Sequence, residues 1–281
     1  MRILFSLFFI SLLSACGGSG GGATSTSPSY TTRSYTGTSV SVPYSGATLG
    51  TATSISQGAT ATEVVSSSNI VQSISVTAAN GSNVSLNRAN GDTIAAVSSG
   101  VNGGYNNSST ALWGYMGGLG WSYQSFGVWV TGTTSSGMAN AASVGTSITP
   151  GASIPTTGSA IYSGVAGGLF GNASVVYFVA ANMSANTNFA TRNITFATTG
   201  SVASPTLYGT YTDASGLNLS GNLTYAAGTN SFSGTVNSAG YTTMTGNAGG
   251  QFYGPNAQEI GGVFMVKSGN YGYIGGFGGK K

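Results

Sequence analysis

Histidine is absent from this 281-residue chain, and cysteine occurs once. Without histidine, the commonest general base and the commonest neutral metal ligand are missing. A lone Cys16 closes no intrachain disulfide, so the fold must hold without one. Charge is scarce: only 4% of residues are charged, and the acids are Glu63, Asp92, Asp213 and Glu259. Four scattered carboxylates build no Ser-His-Asp arrangement and no metal cluster. They leave little material for the carboxylate pair of a glycosidase. The expectation is a chain with no catalytic residue, no metal and no cofactor, and not an enzyme. Cations are sparse as well. Arg33, Arg88 and Arg192 stand alone, and only Lys280 and Lys281 are adjacent. Nucleic-acid binding requires clustered cations that displace counterions, so no nucleic-acid partner is expected.

A helical repeat is lacking too, since no amphipathic period persists beyond about two turns. The chain does hold 47 Gly, 15 Tyr, 12 Phe and 3 Trp. Gly/Ser/Thr-rich composition fits either low-complexity disorder or an extracellular β protein with Gly/Asn turns. The aromatic content decides for the β protein, because disordered chains are poor in aromatics.

Residues 1–15, MRILFSLFFISLLSA, carry one Arg and then an apolar run. That run is about half of the ~20 residues needed to span a bilayer, so it reads as a signal peptide. It ends in Leu13-Ser14-Ala15-Cys16-Gly17, which resembles the bacterial lipobox. Cys16 is therefore the expected lipid attachment site, and Gly17 after it favours the outer membrane. Residues 16–43 are expected to be the lipidated Cys and a Gly/Ser/Thr-rich tether, with residues 30–43 read as either tether or first strand.

Residues 44–150 are expected to form a β-rich domain. Short β-branched runs alternate there, with turn signals at Asn80-Gly81 and Asn90-Gly91. Asp92, directly after the second turn, is expected to serve that turn. The most aromatic stretch, residues 112–131, reads LWGYMGGLGWSYQSFGVWVT. Its later part carries bulk on both faces of a strand, which fits core packing. Large aromatics also make binding anchors, so Trp113, Tyr115, Trp121 and Tyr123 are the candidate ligand contacts. Residues 132–155 look irregular and Gly/Ser/Thr-rich, and the domain boundary is placed there.

From residue 156 to 281 the pattern is strand, turn, strand, giving about eight antiparallel strands in up-and-down order. Glycines in the apolar rows, such as Gly221 and Gly275, suit a closed barrel in which backbones approach closely. Asn256-Ala257-Gln258-Glu259 resembles a capping box, which would make Asn256 an N-cap and Glu259 its reciprocal partner.

The stretch GGQFYGPNAQEIGGVF resembles the signature of the C-terminal barrel of transferrin-binding protein B-like surface lipoproteins. LSGNLTYAAGTNSFSGTVN, IPTTGSAIYSGVAGG and YQSFGVWV are similar to other strands of that family. The resemblance implies an all-β fold: a C-terminal eight-stranded up-and-down antiparallel barrel (156–281) preceded by a smaller β-rich handle (44–150). It implies an outer-membrane lipoprotein, surface-exposed, that binds an external protein or a haem-like ligand in iron or haem-source acquisition. Its implied partners are a TonB-dependent receptor and a surface lipoprotein assembly modulator. Ligation of haem by histidine is impossible here, which leaves Tyr or Met as axial ligands. The alternative is a structural, adhesive or immune-evasive surface lipoprotein with no uptake role.

Overall fold

The computed structural model describes residues 29–98, 101–105, 111–115, 121–133, 135–240 and 243–281. Two β-sheets hold almost all of them. The first contains β1 (Tyr30–Ser45), β2 (Thr48–Leu49), β3 (Ser56–Ser66), β4 (Val71–Thr77), β5 (Asn83–Asn87), β6 (Thr93–Ser98), β7 (Val101–Tyr105), β8 (Ala111–Tyr115), β9 (Gln124–Gly132) and β10 (Ser136–Gly145). The second contains β11 (Ser159–Gly171), β12 (Val176–Asn188), β13 (Asn193–Ser204), β14 (Thr212–Asp213), β15 (Leu219–Tyr225), β16 (Phe232–Ser238), β17 (Thr245–Tyr253), β18 (Glu259–Ser268) and β19 (Tyr271–Lys280).

The second sheet is the expected closed barrel. Each long strand pairs antiparallel with its sequence neighbour, and β11 pairs with β19 to close the ring of eight. The two-residue β14 hangs off β13. Tyr162, Phe196, Leu223, Phe252, Phe264 and Phe277 fill the interior. Glycine opposite a ring is the recurring device that lets this interior close. Phe264 faces Gly275 across β18–β19, and Phe277 faces Gly262. A Cβ on either glycine would come within 2.5 Å of the opposing ring. Gly221, opposite Phe196, has no room for a Cβ either. Residues 206–211 form a turn that leads into β14.

The first sheet has the order β5-β4-β3-β1-β10-β9-β8-β7-β6, with β2 paired to β1. It curls so that its two edge strands, consecutive in sequence, come together. Arg88 laces the seam between them. Its Nε donates to the Val71 carbonyl at 2.7 Å and its Nη2 donates to the Ile94 carbonyl. Asp92 serves the same turn, with Oδ2 accepting from the Asn87 N–H at 2.8 Å. Inside the curl lie Ile74, Val76, Leu86 and Trp129.

Two expectations are corrected. The tether bound at residue 43, with 30–43 open between tether and first strand, is too long: β1 begins at Tyr30 and pairs with both β3 and β10. Its Thr/Ser content is compatible with burial because the hydroxyls find partners. Ser41 Oγ donates to Asn140 Oδ1 at 2.7 Å, and Ser39 Oγ accepts from the Ala79 N–H at 2.8 Å. Residues 132–155 were expected to be irregular, but β10 occupies Ser136–Gly145 at the centre of the sheet. It is built from Ala, Ser and Gly because it is packed on both faces, with Ala139 and Ala141 on one and Ala142 and Val144 on the other.

Replacing Gly275 by Ala should cost about 1–3 kcal/mol through overpacking against Phe264 and the β11 backbone. Thermal unfolding followed by circular dichroism should show a clear fall in Tm. An unchanged Tm would mean that the ring-on-glycine packing is not needed for closure.

Candidate functional site

Strand alternation gives the barrel a second apolar face. Along β18, Ile260, Phe264 and Val266 point inward, so Glu259, Gly261, Val263 and Met265 point outward. On β19 the outward residues are Ile274, Gly276 and Gly278, and on β11 they include Leu169. This outer face is covered by β1, β9 and β10 of the first sheet, through Val40, Val42, Phe126, Val128, Ala139 and Ala141. Strands β18 and β19 are thus buried on both faces, which accounts for the near-continuous burial along IGGVFMV. Glycines flatten the outer face where large side chains press on it. A Cβ at Gly276 would meet the Phe126 ring, and one at Gly278 would meet the Gln124 amide.

At one end of this junction sits Glu259, 3% exposed. Its carboxylate accepts three successive backbone N–H groups: Ser122 at 2.6 Å, and Tyr123 and Gln124 at 3.0 Å each. These are the residues that lead into β9, about 135 positions earlier in the chain. Hydrogen bonds to an ionised acceptor are the strong ones, and a carboxylate has lone pairs enough for three donors.

The capping-box reading of this stretch is therefore corrected. A helical turn after Asn256 needs right-handed φ, but Asn256 and Ala257 both have φ of 54°. The turn reverses the chain between β17 and β18 and aims Glu259 away from Asn256, toward the first sheet. Tyr162 Oη donates to the Ala257 carbonyl at 2.6 Å and holds the turn against the barrel wall.

The rest of the signature serves the same junction. Tyr253 is fully buried, and its Oη donates to the Ser143 carbonyl of β10 at 3.2 Å. Gly254 takes φ of 75°, and a Cβ there would strike the Tyr123 ring. Its carbonyl accepts from Thr149 Oγ1 at 2.6 Å. Asn230 pins the linker: Nδ2 donates to the carbonyls of Thr149 (2.6 Å) and Phe252 (2.9 Å), while Oδ1 accepts from the Phe252 N–H (2.6 Å). Thr38 on β1 also donates to Gln251 on β17, at 3.3 Å.

The lipid attachment site and the four candidate ligand contacts expected from sequence fall in three places. Cys16 lies outside the described residues. Trp113 and Tyr115 lie on β8, in register with Val128 and Phe126 of β9. Trp121 and Tyr123 belong to the segment gripped by Glu259. Trp121 is buried 6.0 Å from the Phe126 ring, and Tyr123 is half-buried beside Gly254. Sequence reading missed Glu259, Asn230, Tyr253 and Ser143 as one assembly. The available signal was an acid and a tyrosine set among glycines in a chain that has almost no other charge.

A second polar feature lies in the first sheet. Glu63, 6% exposed, accepts from Tyr35 Oη at 2.9 Å and pairs with Arg33 at 3.5 Å. Burial, and then the adjoining Glu63 charge and hydrogen bond, push the Tyr35 phenol up to about 12. A cavity of about 30 Å³ next to it is lined by Tyr35, Glu63, Ile74 and Trp129, which is room for a water or two. Burial also raises the phenols of Tyr162 and Tyr253. Among the described residues, no group of three His, Cys, Asp or Glu could hold a metal ion. No helix among them is long and apolar enough to cross a membrane.

Residues 154–281 match the family model of the C-lobe and N-lobe β-barrels of transferrin-binding protein B. The resemblance read from the sequence is thus shown for the barrel. A search of curated proteins returned no sequence match. Among solved structures, transferrin-binding protein B of Haemophilus parasuis Hp5, a vaccine antigen, aligns at 17% identity. That alignment covers 79% of this chain and 51% of the other, with a TM-score of 0.49. Isotype 1 transferrin-binding protein B of serogroup B Neisseria meningitidis aligns at 16% identity over 86% of this chain and 43% of its own, with a TM-score of 0.49. Intact Ap-TbpB, with N and C lobes, aligns at 12% identity over 90% of this chain and 77% of its own, with a TM-score of 0.48. The chain spans about half the length of the first of these.

Glu259→Gln replaces one of the two accepting oxygens by an amide N–H₂, which leaves at least one of the three backbone N–H groups facing a donor, and should cost about 3 kcal/mol, a fall in Tm of about 6–12 °C for a chain of this size. A capping box accepts Gln as readily as Glu at its third position, so an unchanged Tm in Glu259→Gln would restore the capping reading and contradict the junction. In alkali, a phenol whose folded pKa is raised contributes stability that is complete below about 10 and is lost as pH rises through the folded value. For Tyr35 that window runs from about 10 to about 12. Stability measured by urea unfolding should therefore fall across it, and fall less steeply in Tyr35→Phe. Equal slopes in the two proteins would contradict the account.

Proposed function

We propose that this chain is an outer-membrane, surface-exposed lipoprotein that binds an external protein or haem-like ligand in the acquisition of iron or haem. The observation that carries the reading is the match of residues 154–281 to the barrels of transferrin-binding protein B. The N-terminal leader and Cys16 support an anchor in the membrane, with two or more acyl chains holding far more firmly than one. The scarcity of carboxylates and the absence of histidine support binding rather than catalysis. In this reading the junction keeps barrel and first sheet as one rigid body. A TonB-dependent receptor and a surface lipoprotein assembly modulator are the proposed partners. Loop segments and the candidate contacts Trp113, Tyr115 and Tyr123 are proposed to face the ligand.

Growth of a deletion strain on transferrin, haemoglobin or haem as the sole iron source tests the reading. Growth should fail on at least one source and return with the wild-type gene. Cys16→Ser should release the protein from the membrane and fail to restore growth. Normal growth on every source, combined with loss of cell attachment, would favour the adhesive alternative.

A further inference from the structure

Five neighbouring barrel strands, β12, β13, β15, β16 and β17, contain no Asp, Glu, Lys or Arg. Their register lines the outward side chains into rows. One row runs Asn186, Thr195, Asn222, Thr235 and Asn247, each opposite the next on the adjoining strand. All five are exposed. The next row, two residues along each strand, runs Ser184, Ala197, Ser220, Asn237 and Thr245. Neighbours across a row are ~4.8 Å apart and the rows are ~6.8 Å apart.

Thr suits an exposed strand position on packing grounds, but Asn is depleted in strands. Asn at alternate positions of a row therefore goes against local preference and asks for another explanation. Soluble surfaces also commonly carry about 25–35% charged residues, and this face carries none. The amides are partly oriented already: Thr245 Oγ1 donates to Asn237 Oδ1 at 2.8 Å, and Thr195 Oγ1 donates to Asn222 Oδ1 at 3.5 Å. Each such contact uses the carboxamide oxygen and leaves both amide N–H groups for a partner.

We propose that this face is a docking surface for a neutral polyhydroxylated polymer, an uncharged glycan. Charge complementarity selects that class. An anionic partner would call for Arg or Lys, and a cationic one for Asp or Glu. An apolar partner would call for exposed apolar side chains. A sugar hydroxyl both donates and accepts, as the alternating amide and hydroxyl groups of the row require. The inference goes beyond iron acquisition and does not depend on it.

Affinity electrophoresis of the purified chain through gels containing mannan, dextran, galactan or heparin tests the proposal. At least one neutral polysaccharide should retard the wild type. The double variant Asn222→Val, Thr235→Val keeps strand preference but removes the hydrogen-bonding groups at the centre of the row. It should bind about tenfold more weakly, the loss expected for one or two hydrogen bonds, with an unchanged Tm. The proposal is overturned if no neutral polysaccharide retards the wild type, if heparin alone does, or if the double variant is retarded equally.

Discussion

A single buried carboxylate holds the two halves of this protein in register. Glu259 stands on the barrel's outer face and takes the N–H groups of residues 122–124, which begin the strand covering that face. The cost of burying a charge is high unless it is hydrogen-bonded, and three convergent backbone donors meet that condition. Backbone donors also fix position more narrowly than a side-chain cation would, because they cannot swing away. The apolar contacts between Val263, Met265 and Ile274 and the first sheet are non-directional. The carboxylate, the Tyr253–Ser143 contact and the Asn230 clamp supply the direction.

This arrangement explains why the closing stretch is so rich in glycine. The β18–β19 hairpin has two packed faces, with Phe rings inside the barrel and Phe126, Gln124 and Tyr253 on or against the outer surface. Gly262 and Gly275 make room inside, while Gly276 and Gly278 make room outside. Alternation along each strand carries both requirements at once. The hairpin looks repetitive in sequence because it is close-packed on both sides.

Much of the barrel was legible in advance. Leu219, Leu223 and Tyr225 alternate toward the interior, and Gly221, which interrupts their row, lies opposite Phe196. The barrel's closure followed from the order of strands and short turns. The junction was not legible, because its partners lie more than a hundred residues apart and no local pattern links Glu259 to Ser122. Asn256 followed three residues later by Glu259 fits a capping box by spacing alone. Only the left-handed backbone at Asn256 and Ala257 rules it out. Strand β10 was missed for a different reason. A strand squeezed between two packed layers selects Ala, Ser and Gly, the residues that read as loop in a single sequence.

Hydrogen exchange at the amides of Ser122, Tyr123 and Gln124 tests the central claim most directly. If Glu259 joins the halves, these three amides should exchange as slowly as those in the core of β9, and Glu259→Ala should speed them together while barrel amides in β15 and β16 stay protected. Rapid exchange of all three in the wild type, or exchange unaffected by the substitution, would contradict it.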